Sequence, residues 1–299
     1  MGVTSAPFES FTSIGGVTFR VACDDPRLAS RGDRSLDPFA VPPTRPDVDI
    51  RARWTAATDD VRGRLVFDSG ATWQLLQSDG DFLFTFRSSI GSGAPYKTAR
   101  INAWFTGGEV QVSSRHFDGH RSEDVYALQY PLDELLMIHQ LSQGKGVEIH
   151  GCAVLDRARR AFVFAGQSGA GKSTMARLWV TQPDAMLLSD ERVVLRTDGH
   201  RIVVHGTPWH GDAQLTSAQS GELAAVFFLH HGPTHRCSPV GTSLSAAKLF
   251  SCAFLPFHGA DGVDRTLSAL ERVARDVPCR DLWFVPDPSI VDALAPYMR

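Results

Sequence analysis

In the first 130 residues apolar and polar positions alternate in short runs, the period of half-buried strands. TWQLLQS (72–78) and DFLFTFRS (81–88) flank Asp79-Gly80, a dipeptide suited to the left-handed residues of a two-residue hairpin turn. RINAWFT (100–106) and EVQVSSR (109–115) flank Gly107-Gly108, which reads as a second turn of this kind. Residues 24–49, rich in Pro, Asp and Arg, follow neither period and read as an irregular loop. Residues 1–130 are therefore expected to form an N-terminal, mainly antiparallel β domain.

The texture changes at Pro131. PLDELLMIHQLSQGKG has proline at a helix start, Leu132, Leu135 and Leu136 on one face, and Gly144 as a stop. VEIHGCAVLD and RAFVFAG then predict two strands, and a helix is expected from about Gly171 to Thr181. AMLLSD is a further strand, and ERVVLRTDGHRIVVHG a hairpin turning at Asp198-Gly199. AAVFFLHH and CRDLWFV read as strands, whereas LSAAKLFSCAF, VDRTLSALERVARDV and SIVDALAPY have helical spacing. Residues 131–299 are thus expected to be a second domain of α/β class.

Composition narrows the function. A net charge of −3 with no lysine/arginine run gives no reason to expect nucleic acid or an anionic membrane as partner. No run approaches the roughly 18 apolar residues of a membrane span, and the N-terminus lacks the basic and apolar regions of a signal peptide. Five scattered cysteines without a C-x-x-C pair fit a reducing compartment, so a cytoplasmic protein is expected. His230, His231, His235 and Cys237 lie close in sequence, but their spacing matches no structural zinc pattern.

The chemistry concentrates in FAGQSGAGKST. Residues 166–173 satisfy G-x-x-x-x-G-K-[ST], with a strand before and a helix after. Glycines let successive backbone N–H groups turn inward around phosphate oxygens, and the helix beginning there adds its positive end. Gly166, Ser168, Gly169, Ala170, Gly171, Lys172, Ser173 and Thr174 are the expected nucleotide-binding residues. Lys172 has the reach for β- and γ-phosphates, and the Ser173 hydroxyl is placed to ligate Mg²⁺. Asp190 and Glu191 follow an apolar strand, eighteen residues after Lys172, so their strand is expected near the loop strand and pointing the same way. No signature like that of transport ATPases fits the gap, and no N-K-x-D base-reading motif occurs.

Three stretches together, IHGCAV, FAGQSGAGKST and LLSDERVVL, resemble the HPr serine kinase/phosphorylase family over about residues 145–230. The resemblance implies a P-loop core related to phosphoenolpyruvate carboxykinase, with ATP and Mg²⁺ as cofactors. It implies catalytic roles for Lys172, for Asp190 as proton acceptor, and for His150 near the transferred phosphate. Glu191 stands where that family has a second aspartate. Bifunctional members carry an E-x-R-G-x-G-I-like segment, which is absent here; GTPWHGD (206–212) takes its place. That loop is similar to one in HPr-kinase-like proteins encoded beside ribosomal peptide clusters, some of which phosphorylate a serine of a lasso-type peptide. In that alignment Asp212 replaces an acidic metal ligand, so Ser173, Glu191 and Asp212 are the expected metal set. Trp209, His210 and Asp212 include no permanent cation for a second anion, so a kinase with little reverse phosphorolysis is expected. The implied partner is a serine-bearing peptide or protein, and relatives with this core often form homo-oligomers. A small-molecule hydroxyl kinase and a non-catalytic ATP-binding regulator are the alternatives.

Overall fold

The computed structural model describes residues 8–29, 34–59, 61–88, 94–117 and 125–298. The protein is mixed α/β, built on two large sheets. It divides into two compact units, Met1–Ser13 with Val17–Gln140, and Ile14–Gly16 with Leu141–Arg299.

The first unit carries an eight-stranded sheet in the order β1-β2-β3-β8-β7-β6-β5-β4. Its strands are β1 (Phe8–Ile14), β2 (Val17–Cys23), β3 (Val48–Thr55), β4 (Arg64–Asp68), β5 (Trp73–Ser78), β6 (Asp81–Phe86), β7 (Lys97–Ile101) and β8 (Gly107–Ser113). Strands β4 to β8 are antiparallel neighbours, while β3 lies parallel to both β2 and β8. The β5–β6 turn is the expected one, with Asp79 and Gly80 both left-handed at φ 52° and 87°.

The second expected turn lies elsewhere. Gly107 and Gly108 belong to β8, and the chain reverses over residues 102–106 instead. Asn102 Oδ1 accepts the backbone N–H groups of Trp104 and Thr106, which makes a side-chain-supported turn without glycine. The glycines are needed for close packing: a Cβ on Gly108 would lie 2.0 Å from the Arg100 carbonyl oxygen. Residues 24–49 are also more ordered than their composition suggests. They include the single turn α1 (Pro26–Ala29) and a 3₁₀ segment, Arg34–Phe39, that buries Leu36 and Phe39; residues 30–33 of that stretch lie outside the described residues.

After the short α2 (Ser114–Phe117) comes α3 (Leu132–Gln140), which packs with the first unit. His139 stacks on Phe105 at 4.0 Å, and Gln140 Nε2 donates to the Phe105 carbonyl at 2.7 Å. Side-chain packing thus draws the boundary about one helix later than the change in sequence texture at Pro131.

The second unit holds a nine-stranded sheet. Its strands are β9 (Val147–Leu155), β10 (Arg160–Ala165), β11 (Met186–Ser189), β12 (Arg192–Asp198), β13 (Arg201–Gly206), β14 (Ser220–His231), β15 (Arg236–Pro239), β16 (Ala253–Phe254) and β17 (Cys279–Phe284). The path runs β10-β9-β12-β13-β14-β17-β15, with β11 and β16 also on β9, and β10 pairs back to β14. Strands β10, β14 and β17 are parallel. The helices are α4 (Lys172–Val180), α5 (Thr242–Cys252), α6 (Ala260–Asp276) and α7 (Ser289–Leu294).

The continuous apolar run of β10 reflects burial on both faces. Ala161, Val163 and Ala165 join a core with Leu249 of α5 and Leu270 and Val273 of α6. Phe162 and Phe164 join a second core with Met175 and Trp179 of α4 and Ile290 of α7. Strand β11 pairs antiparallel with β9, as does β10, so β10 and β11 run the same way with β9 between them. The glycine turn and the acid pair accordingly leave the sheet at one edge. Among the described residues no helix is long and apolar enough to cross a membrane.

Replacing Gly108 with alanine forces a methyl against the Arg100 carbonyl. The expected result is a loss of roughly 1–3 kcal/mol or more in the first unit, the scale of overpacking, read as a lower urea midpoint. An unchanged midpoint would show that β7 and β8 can separate freely.

Candidate functional site

One peptide group joins the two halves of the site. The His150 carbonyl accepts the N–H of Gly166, the first residue of the glycine turn, at 3.3 Å. The next N–H along, that of Gly151, donates to the Glu191 carbonyl at 2.8 Å. The middle of β9 therefore holds the turn on one side and the acid pair on the other. Gly151 also allows close strand packing, because a Cβ there would approach Val163 at 3.2 Å.

The turn itself runs from Gly166 to Gly171. Gly169 and Gly171 are left-handed, at φ 82° and 99°, a conformation that side chains disfavour. Gly171 immediately precedes α4, and a Cβ on it would lie 2.8 Å from the Phe284 ring. His231 pins the tip: its Nε2 lies 2.8 Å from the Gly169 carbonyl, which can only accept, so Nε2 carries the proton. Gln167, Ser168 and Gly169 are exposed, while Ala170, Ser173 and Thr174 are half-buried.

Lys172 is 7% exposed and folds back on the turn, donating to the carbonyls of Gly166 at 2.9 Å and Gln167 at 3.1 Å. Burial lowers its pKa from the ordinary lysine range, and the Glu191 carboxylate opposes that shift. His150 packs against Phe254 of β16 in a tilted pair, ring centroids 4.3 Å apart, and its buried Nδ1 has no hydrogen-bond partner. Burial, reinforced by the charges of Lys172 and Arg192, pushes its pKa down to about 4. At neutral pH it is an uncharged imidazole.

Asp190 is fully buried, and both its carboxylate oxygens are engaged. Oδ1 accepts the N–H of Gly211 and Oδ2 that of Ala213, each at 2.9 Å. Thr207 Oγ1 adds a 2.7 Å bond to the Arg192 carbonyl, so the GTPWHGD loop is anchored on the acid strand at two levels. Glu191 is only half-buried. A Cβ on Gly211 would lie 2.8 Å from its Oε2, so the loop backbone lies directly against this carboxylate. Trp209 is buried, His210 Nδ1 donates to the Gly211 carbonyl, and Asp212 is exposed one residue further along.

The site thus brings together the turn, Lys172, His150, Asp190 and Glu191. Asp212 is carried beside them by the loop backbone rather than by a contact of its own. The neighbouring histidines point to separate partners: His230 to Asp281, His231 to Gly169 and His235 to Ser289. Arg192, Phe254 and His231 are site residues that sequence reasoning passed over. Arg192 was in view within LLSDERVVL, and it supplies a permanent cation that the 206–212 loop lacks. Nothing local marks Phe254 or His231, whose roles depend on β16 pairing with β9 and on β14 pairing with β10.

No protein-family model matches this chain, and no curated protein matches it significantly.

His150 and His205 both have folded pKa values lowered from 6.5 to about 4, chiefly by burial. Each imidazole binds fewer protons folded than unfolded. Its contribution to stability is therefore present above pH 6.5 and lost as pH falls through that value toward 4. Urea midpoints of the native chain should fall over this window, and those of a His150→Gln, His205→Gln double variant should fall less. Equal slopes in the two proteins would remove this origin.

Proposed function

We propose that the second unit binds ATP with Mg²⁺ and transfers the γ-phosphoryl group to a hydroxyl, that of a serine in a peptide or protein. The observation that carries this reading is a buried lysine opening a helix, folded against a left-handed glycine turn, near the acid pair that follows β11, a strand running the same way as β10 across β9. Parallel strands of this kind gather ligand groups at their C-terminal edge.

The residues suit the groups they would hold. The backbone N–H groups of Gly169, Gly171, Lys172 and Ser173 and the N-terminus of α4 suit phosphate oxygens, while that of Ala170 is bonded to the Gln167 carbonyl. Lys172 already donates to two carbonyls, so exchanging one of them for a phosphate oxygen needs a small side-chain movement and no new desolvation. Mg²⁺ prefers oxygen ligands and commonly keeps waters, with one or two protein groups beside the phosphates. Ser173 with Glu191 or Asp212 fits that demand, and among the described residues no cluster of three or more His, Cys, Asp or Glu forms a ready-made metal cage. When bound, the ion would neutralise charge developing on the β- and γ-oxygens.

The chain's own groups do the rest. Lys172 stabilises negative charge on the oxygen bridging to the leaving group. The bond between that oxygen and the γ-phosphorus breaks as the acceptor oxygen bonds to phosphorus, and the hydroxyl proton passes to a carboxylate of the Asp190–Glu191 pair. Neutral His150 adds no charge of its own; its unpartnered Nδ1 is suited to a single hydrogen bond near the transferred group. Arg192, whose guanidinium lies 5.2 Å from the centre of the Phe254 ring that His150 also packs against, brings a permanent cation to this part of the site. The expected products are ADP and a phosphoserine.

Lys172→Ala should weaken ATP–Mg²⁺ binding by about ten- to a hundredfold, the scale of one charge-assisted contact. Ser173→Ala should reduce the magnesium dependence of that binding. Calorimetry tests both, and mass spectrometry of serine peptides incubated with the native chain and ATP tests transfer. Unchanged affinity and metal dependence in both variants would end the nucleotide reading. Binding without any phosphorylated product would leave a nucleotide-binding protein that is not a kinase.

A further inference from the structure

The two acids at the end of β11 look equivalent in sequence, and the structure separates them. Asp190 has no exposed surface, and each of its oxygens is already bonded to a backbone N–H of the 206–213 loop. A carboxylate oxygen can accept a second bond, but with no exposed surface Asp190 could meet an acceptor hydroxyl only if a path opened to it. Glu191 is half-exposed and is the strongest opposite charge acting on Lys172. Gly211 serves both acids. Its N–H binds Asp190, and its lack of a side chain leaves room for Glu191, since a Cβ would sit 2.8 Å from Glu191 Oε2 and 3.2 Å from Asp190 Oδ2.

We infer that Asp190 is a positioning residue that clamps the 206–213 loop beside the acid pair, and that Glu191 is the carboxylate that takes the acceptor's proton, which leaves Asp212 as the acid beside Ser173 in the Mg²⁺ set. The second half of this inference rests on the phosphotransfer reading; the first half does not. The step balances within that reading: the acceptor O–H proton moves to a Glu191 oxygen, the acceptor oxygen bonds to the γ-phosphorus, and ADP leaves with the bridging oxygen. The clamp sets where His210 and Asp212 stand relative to Glu191, which makes the loop the acceptor-side wall. Losing the clamp displaces that wall, whereas losing Glu191 removes the base.

Two variants of the full chain separate these roles, each read two ways. Hydrogen exchange at the Gly211 and Ala213 amides reports the clamp. Asp190→Asn turns one accepting oxygen into a donor facing an N–H, so exchange there should quicken about tenfold or more, as for a locally opened segment. Glu191→Gln should leave it within about twofold of the native rate. Single-turnover ADP formation from ATP–Mg²⁺ in the presence of a serine-bearing peptide, with ATP affinity measured separately, reports the chemistry. Glu191→Gln should slow it by about 10²-fold or more with ATP affinity nearly kept, the usual weight of a positioned base. Asp190→Asn should cost less in rate and more in acceptor KM. Full turnover in Glu191→Gln overturns the assignment, even if the Asp190 variant fails to fold. So does an Asp190→Asn chain that loses turnover while its Gly211 and Ala213 amides exchange at the native rate. If the native chain neither binds nor cleaves ATP, the phosphotransfer reading and the Glu191 role fall together, and the exchange data alone decide the clamp.

Discussion

The two hydrogen bonds of the His150–Gly151 peptide are the constraint on which the candidate site depends. A strand in the middle of a sheet must satisfy its N–H and C=O groups on both sides, or bury them at a cost. Here those obligations fall on the first residue of the glycine turn and on the carbonyl of Glu191. Backbone pairing, rather than any side-chain contact, brings the turn and the acids to one place. Because β10 and β11 are each antiparallel to β9, they share a direction, and both deliver their C-terminal ends to the same edge.

Around that frame the electrostatics are arranged by burial. Lys172 is taken out of solvent, and two carbonyls and a nearby carboxylate replace its water. His150 is kept neutral chiefly by burial, with two nearby cations adding to the effect. Asp190 is buried and bonded, and Glu191 is left half-open beside the lysine. Four ionisable groups in one region thus occupy four different environments.

The GTPWHGD loop shows how a short motif divides its work. Thr207 and the Gly211 and Ala213 amides fasten it, and Trp209 is buried. His210 is half-buried, and Asp212 stands exposed on the outside. A fold of this architecture does not by itself specify an acceptor, so under the proposed reading specificity resides in such loops. In the first unit the same logic serves stability, with Asn102 closing a turn and Gly108 allowing two strands to approach.

The glycine turn, its lysine, the helix after it and the acid-bearing strand were legible in the chain alone. Each is a local pattern, in which neighbouring residues decide the backbone and the period of burial decides the element. The hairpins at Asp79-Gly80 and Asp198-Gly199 were legible for the same reason. Gly107-Gly108 misled because glycine answers two needs, a turn or a close approach, and only the partner strand distinguishes them. The helix at 132–140 was found but set in the wrong unit, since its Phe105 contact lies some thirty residues away in the chain. Within the site, sequence proposed Asp190, Glu191 and His150 as a group, and it could not tell which acid was enclosed or that Arg192, Phe254 and His231 would join them. Residue type and order determine what each segment becomes; burial and hydrogen-bond partners across strands decide which groups meet, and those are properties that exist only once the chain is folded.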